Sequence, residues 1–229
     1  MIDDFSKQMD LIKTHEFTHP IHVIGAGALG SWITFFLLKM GFNNIHVYDY
    51  DTIEEHNLPN QMFRENQIGA GKAFALVDIY SNFTLEDPND DRLTAHNRRV
   101  TAEDATSFTG IVLCAVDSME SRKELFEALF EYSSNVSLWI EARLSLWGAY
   151  IYTIDKSVDV EKYKKTFYAD SEAEVSACGV SQTALPSGTV AASTMIMQMI
   201  EWFKYGNVKN HKLEYSLPWF DCMKEDWSR

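Results

Sequence analysis

The stretch "IHVIGAGALGSW", residues 21–32, constrains the fold more than any other. An apolar run is broken by Gly25, Gly27 and Gly30 and then resumes with helical spacing. A strand that enters a helix through G-x-G-x-x-G uses each glycine differently: one for the tight turn, one so that a phosphate can approach the backbone, one for close helix–strand packing. The helix that follows points its free N–H groups at the same spot. A carboxylate about 20 residues further on is expected to accept from a ribose hydroxyl. Asp49, 19 residues after Gly30 at the end of the next apolar run, fills that place. The turn alone leaves three readings open: a dinucleotide enzyme, an adenylating enzyme, or glycines that serve packing only.

The rest of the chain alternates strand and helix patterns. Strands are expected at 21–24, 44–49, 92–100 and 110–117, with helices at 29–40, 70–82 and 121–132 between or after them. "VSLWIEAR" and "GAYIYTID" read as two further strands joined by a short bend, so they are expected to be antiparallel. Residues 155–185 read as irregular, and 187–205 as a last helix. Such alternation predicts an α/β fold, a Rossmann-like doubly wound, mostly parallel sheet with antiparallel strands at its C-terminal end. No domain boundary is visible. The expectation is a single domain over 1–229, with its core at about 20–205 and residues 206–229 as an appended tail.

Composition closes off other classes. A net charge of −13 argues against a nucleic-acid binder, which needs a basic stripe. The N-terminus is polar and acidic, and "TVAASTMIMQMIEWF" is too short and too hydroxylated to span a bilayer. Cys114, Cys178 and Cys222 show no CxxC spacing, which suits a reducing cytoplasm and offers no zinc framework. His22 and His46 lie inside strand patterns and read as structural. Cys114, in an apolar strand, reads as core.

The segment after Asp49, "DYDTIEEHNLPNQMFRENQIGAGK", is dense in amides and charges. Asn57, Asn60, Gln61, Arg64 and Lys72 could all donate toward phosphates; a solvated surface loop is the other reading. A dinucleotide needs few such donors, whereas a reacting triphosphate needs its charge held. "GAGKA" lacks the spacing and the preceding strand of a phosphate-binding P-loop.

"VIGAGALGS", "VYDYDTIEEHNLPNQMF", "QIGAGKA" and "VLCAVDSMESR", in this order and spacing, resemble the ThiF/MoeB/ubiquitin-activating-enzyme superfamily over roughly residues 20–205. The stretch from "ARLSLWGAYIYTID" to "GVSQTALPSGTVAAS" resembles a compact ThiF-like branch of mobile elements without zinc cysteines. The resemblance implies an enzyme that binds ATP and Mg²⁺. It implies adenylation of the C-terminal glycine carboxylate of a ubiquitin-like or sulfur-carrier protein, with release of pyrophosphate. It places Gly25, Gly27 and Gly30 at the phosphates, Asp49 at the ribose, Asn57 and Lys72 at the nucleotide, and Asp117 at the metal. Arg122 matches the arginine that follows the D-S step. It implies a homodimer, and the charge and hydropathy above lead to the expectation of neither nucleic acid nor membrane as partner.

Two features depart from the family pattern. Asn60 stands where the family has an arginine, and no arginine precedes Arg64, although the family also draws one from a partner's N-terminal segment. Arg64, or a partner's Lys7 or Lys13, is the replacement the sequence offers. Cys178, just before the last helix, matches the reactive cysteine of several relatives. A thiolate there would take the acyl group from the adenylate, provided that a helix end or a cation activates it; a small buried cysteine is the other reading. Asp117 likewise has a second reading, as a helix cap with Ser118. Three functions stay open: the adenylating enzyme, a non-catalytic relative that binds nucleotide or a partner, and an NAD-dependent oxidoreductase.

Overall fold

The computed structural model describes residues 5–82, 91–133, 135–169 and 183–228. Strands β1 (Ile21–Ile24), β2 (Ile45–Tyr48), β3 (Leu93–His96), β4 (Gly110–Cys114) and β5 (Val136–Leu144) are parallel. β6 (Gly148–Asp155), β7 (Lys212–Ser216) and β8 (Asp221–Glu225) continue the same sheet antiparallel. The order is β3-β2-β1-β4-β5-β6-β7-β8. The α/β, doubly wound, mostly parallel sheet with antiparallel strands at its C-terminal end is therefore as expected.

Period-2 alternation sorts the side chains onto two faces. Ile21, Val23, Ile45, Val47, Ile111, Leu113, Leu138, Ile140 and Ile151 enter one buried cluster. Helices α1 (Gly30–Lys39), α2 (Lys72–Ser81) and α5 (Leu185–Tyr205) contribute to that cluster through residues such as Ile33, Leu76 and Met195. The opposite face carries Ile24, Tyr48, Val112, Cys114, Trp139, Tyr152 and Ile154. They pack with Leu125 and Phe126 of α3 (Met119–Phe126), the one-turn π extension Glu127–Glu131, and Tyr163 of α4 (Val160–Lys164). The π turn carries the helix expected at 121–132 to its end.

Two segments differ from expectation. Residues beyond 206 are not an appendage: β7 pairs with β6, and β8 pairs with β7. Trp227 is buried against Tyr152, and its backbone N–H donates to Nδ1 of the buried His211 at 2.9 Å. The irregular stretch after 155 contains α4, whose N-cap Asp159 accepts from the Glu161 N–H. Among the described residues, no helix is long and apolar enough to cross a membrane.

The two strand histidines are structural, and a third joins them. His22 and His46 are register partners with rings stacked at 5.1 Å, and His96 stacks on His46 at 5.5 Å. Phe108 covers His22 at 4.4 Å, and Tyr48 Oη lies 3.1 Å from its Nδ1. Burial first, and then the charge of His46, lowers the His22 pKa to about 4; burial also lowers His46 and His96. The unfolded imidazole binds its proton at about pH 6.5, so His22 supports the fold above that pH and loses the contribution as pH falls toward 4. At about 1.4 kcal/mol per pH unit the loss is about 3 kcal/mol. Thermal melts at pH 7.5 and 4.5 should show a larger drop for the wild type than for His22→Phe. Equal drops would remove His22 from the acid response.

Candidate nucleotide-binding site

The strand order places β2 on one side of β1 and β4 on the other. In open α/β sheets the ligand crevice lies at the carboxyl ends of the strands where the order reverses, here between β1 and β4. The glycine turn leaves β1 at that point. Gly25 has φ +95°, its N–H donates to the Tyr48 carbonyl at 2.8 Å, and a Cβ on it would stand 2.7 Å from the Ala115 carbonyl oxygen. A Cβ on Gly30 would stand 1.7 Å from the Gly25 carbonyl oxygen. A Cβ on Gly27 would meet nothing within 4 Å. Two glycines are therefore required by the fold, and the third borders open space. Among the described residues no side chain caps the N-terminus of α1; Ser31 N and Ile33 N donate to the Gly27 and Leu29 carbonyls at 3.1 and 3.0 Å, which leaves the rest of the first turn for an anion.

Asp49 sits at the end of β2, and only 9% of it is exposed. Its Oδ2 accepts from Ala26 N, inside the glycine turn, at 2.6 Å, and its Oδ1 accepts from Asp51 N at 2.8 Å. Burial raises its pKa, while the two backbone N–H groups and Lys72 pull the other way. Asp49 thus holds the turn in shape, and each oxygen keeps a lone pair for a ribose hydroxyl. Lys72 opens α2, donates to Asp51 Oδ2 at 3.0 Å, and is buried beside that pair.

The polar loop is ordered by its own amides. Asn57 accepts from Glu54 N at 2.9 Å and caps a 3₁₀ turn, and Gln67 does the same for Arg64 N at 3.0 Å. Asn60 bridges two helices: its backbone carbonyl accepts from Trp32 Nε1 of α1 at 3.0 Å, and its side-chain Nδ2 donates to the Thr183 carbonyl, just ahead of α5, at 3.2 Å. Gly188 of α5 packs so closely on the turn that a Cβ there would stand 2.7 Å from the Ala28 carbonyl oxygen. Arg64 points elsewhere, its Nη2 lying 2.6 Å from Asp78 Oδ2 on the outer side of α2.

Asp117 lies three residues past β4, beside the Ala115 that touches Gly25, and is exposed. The cap of α3 is Ser118, whose Oγ accepts from Ser121 N at 3.2 Å. The carboxylate of Asp117 has no protein partner among the described residues. Arg122, by contrast, is 3% exposed and bonded inside the core to Glu141 and to backbone carbonyls. Cys178 lies outside the described residues. Cys114 is buried, and burial pushes its thiol up to about 12; Cys222 is exposed on β8.

Contacts thus link Asp49 to the glycine turn, Lys72 to Asp51 beside it, and the Ala115 segment that leads to Asp117 to Gly25, while Asn57 orders its own loop and Asn60 bonds Trp32 and Thr183. Sequence reasoning missed Glu141 and Arg143, which join Arg122 beneath the Asp117 turn. Their signal was present in "WIEAR", where every second residue of an apolar strand faces the same side.

Known proteins share parts of this sequence and its fold. The Nedd8-activating enzyme E1 catalytic subunit of Drosophila melanogaster is 32% identical over 124 residues, 53% of this chain and 27% of that protein. Ubiquitin-like modifier-activating enzyme 5 of Branchiostoma floridae is 25% identical over an alignment of 232 positions, 91% of this chain and 54% of that protein. The chain spans about a quarter to a half of the length of these relatives. E. coli MccB in complex with MccA-N7isoASN superposes with a TM-score of 0.70 at 15% identity, covering 93% of this chain and 65% of MccB. PaaA superposes with a TM-score of 0.67, also at 15% identity, with the same coverage. These two show the shared fold. The ThiF family profile matches residues 10–229 and takes in the glycine turn, Asp49, Lys72, Asp117 and the C-terminal hairpin alike, so the chain belongs to the ThiF family.

Proposed function

We propose that the chain binds ATP·Mg²⁺ at the β1/β4 crevice and adenylates the C-terminal carboxylate of a ubiquitin-like or sulfur-carrier protein ending in Gly. The observation that carries this reading is Asp117: an exposed carboxylate with no partner among the described residues, beside a turn whose open glycine and uncapped helix suit phosphates. A carboxylate facing phosphates repels them unless a hard divalent cation lies between, and Mg²⁺ is bound in this manner, by one or two carboxylates and phosphate oxygens. Mg²⁺ would supply charge neutralisation at the phosphates. The chain's own residues do the rest. The turn amides and the end of α1 orient the phosphates, Asp49 orients the ribose, and Lys72, released from Asp51, adds positive charge.

Family membership and the relatives named above support this reading, as do the solved complexes of E. coli MccB with ATP and with MccA. A two-fold homodimer in the cytoplasm, and transfer of the acyl group to Cys178, belong to the same proposal. A second reading is favoured by one observation: Asn60 bridges helices where the family arginine would stand, and Arg64 is paired with Asp78. Neutral amides do not replace a guanidinium, and a non-catalytic nucleotide-binding relative would look like this. Parallel calorimetric titrations with ATP·Mg²⁺ and with NAD test the site. Tighter binding of ATP·Mg²⁺ is expected; tighter binding of NAD would overturn the proposal.

A further inference from the structure

β5 sends Trp139, Glu141 and Arg143 toward α3 and α4, and the last two meet Arg122 of α3 in the core. The Glu141 side chain is fully buried, and those of Arg122 and Arg143 are 4% and 8% exposed. Glu141 divides its oxygens: Oε2 accepts from Arg122 Nη1 at 3.0 Å, and Oε1 accepts from Arg143 Nε at 2.8 Å. Each arginine then reaches a different backbone segment. Arg122 Nη2 donates to the carbonyl of Val116, the residue before Asp117. Arg143 Nη1 donates to the Thr166 carbonyl at 2.6 Å, and its Nη2 to Thr166 Oγ1 at 2.9 Å. Its guanidinium also lies 4.4 Å from the Tyr152 ring. Two cations and one anion are desolvated here, where apolar side chains of similar volume would serve stability as well or better. The bonds that leave the triad therefore call for their own explanation.

We propose that Glu141 is a positioning residue for the nucleotide crevice. It presses Arg122 against the Val116 carbonyl and so sets the turn that carries Asp117, and through Arg143 it ties that turn to residues 165–168. Among the described residues the Asp117 side chain has no partner, so its aim depends on its backbone. The proposal rests on Asp117 as the metal-holding residue, and its test has one arm that needs no ligand.

Hydrogen exchange on the ligand-free protein is that arm. Glu141→Gln keeps the shape and removes the charge. It should speed exchange at 115–118 and at 165–168 together, by tenfold or more, with 21–24 unchanged. A change in neither segment, or in one alone, would overturn the coupling. The second arm titrates Mg²⁺ against ATP binding. The variant should need at least tenfold more Mg²⁺ for half-maximal binding, with ATP affinity in the absence of Mg²⁺ changed less than twofold. A third arm uses the wild type and is independent of variant folding: ATP·Mg²⁺ should protect 115–118 and 165–168 together, and protection of 115–118 alone would overturn the tie. The replacement R122M/E141L/R143M separates positioning from stability. If the triad only stabilised the fold, a restored Tm would come with a wild-type Mg²⁺ requirement; positioning predicts a restored Tm with the requirement still raised. A wild type whose ATP binding ignores Mg²⁺ would overturn the reading of Asp117. Unchanged exchange in Glu141→Gln beside a normal Mg²⁺ requirement would overturn the role of Glu141.

Discussion

Gly30→Ala is expected to remove a third or more of the protein's stability, and Gly27→Val to leave it folded but unable to bind ATP. The two positions are three residues apart, yet their surroundings are opposite. A Cβ at position 30 would lie 1.7 Å from the Gly25 carbonyl oxygen and 3.2 Å from Ala115 Cβ. The first obstacle is backbone, in a turn already at φ +95° and bonded to β2, so no side-chain rotation relieves it. Overlaps of this kind fall in the upper tail of single substitutions, about 4–5 kcal/mol, against a total stability of about 5–15 kcal/mol. At Gly27 the added atoms enter open space, the space a phosphate would use beside the end of α1. Thermal melts and calorimetry separate the two effects. A Gly27→Val protein that binds ATP as tightly as the wild type would place the nucleotide elsewhere.

Asp117→Ala is expected to cut Mg²⁺-dependent turnover by at least about 100-fold, the scale seen when one transition-state charge contact is removed. Its effect on stability should stay within about 0.5 kcal/mol, because Asp117 is exposed and Ser118 holds the helix cap. The two readings of Asp117 therefore differ in outcome. A cap would lose Tm and keep activity per folded molecule; a metal-holding residue would keep Tm and lose activity.

The parallel half of the sheet was legible because its strands are short apolar runs closed by glycine or by charge, as at Gly25 and Asp49. Family membership then separates the chain from the dehydrogenases that share its glycine turn. What stayed hidden depends on contacts between distant segments. β7, "KLEYS", alternates for only five residues, with Leu213 and Tyr215 turned to the core, and β8, "DCMKE", is exposed and carries no apolar alternation, so pairing of β7 with β6 and of β8 with β7 makes them strands. Arg64 looked free in a donor-rich loop, and its partner Asp78 lies on the next helix. Asn57 and Gln67 were legible as polar, but their use as caps needed the turn geometry. The triad of Arg122, Glu141 and Arg143 was missed because two of its members are charges on a strand that otherwise reads as core.

The adenylation proposal is tested most directly by exchange of labelled pyrophosphate into ATP. The probes are ubiquitin-like and sulfur-carrier proteins ending in Gly-Gly, each tested beside the same carrier with its terminal carboxylate amidated. Formation of an acyl-adenylate from the carboxylate requires exchange that depends on Mg²⁺, appears with at least one free-carboxylate carrier, vanishes on amidation and vanishes in Asp117→Ala. Tight, Mg²⁺-dependent ATP binding with no exchange from any of these carriers would contradict adenylation and leave a nucleotide-binding relative without the chemistry.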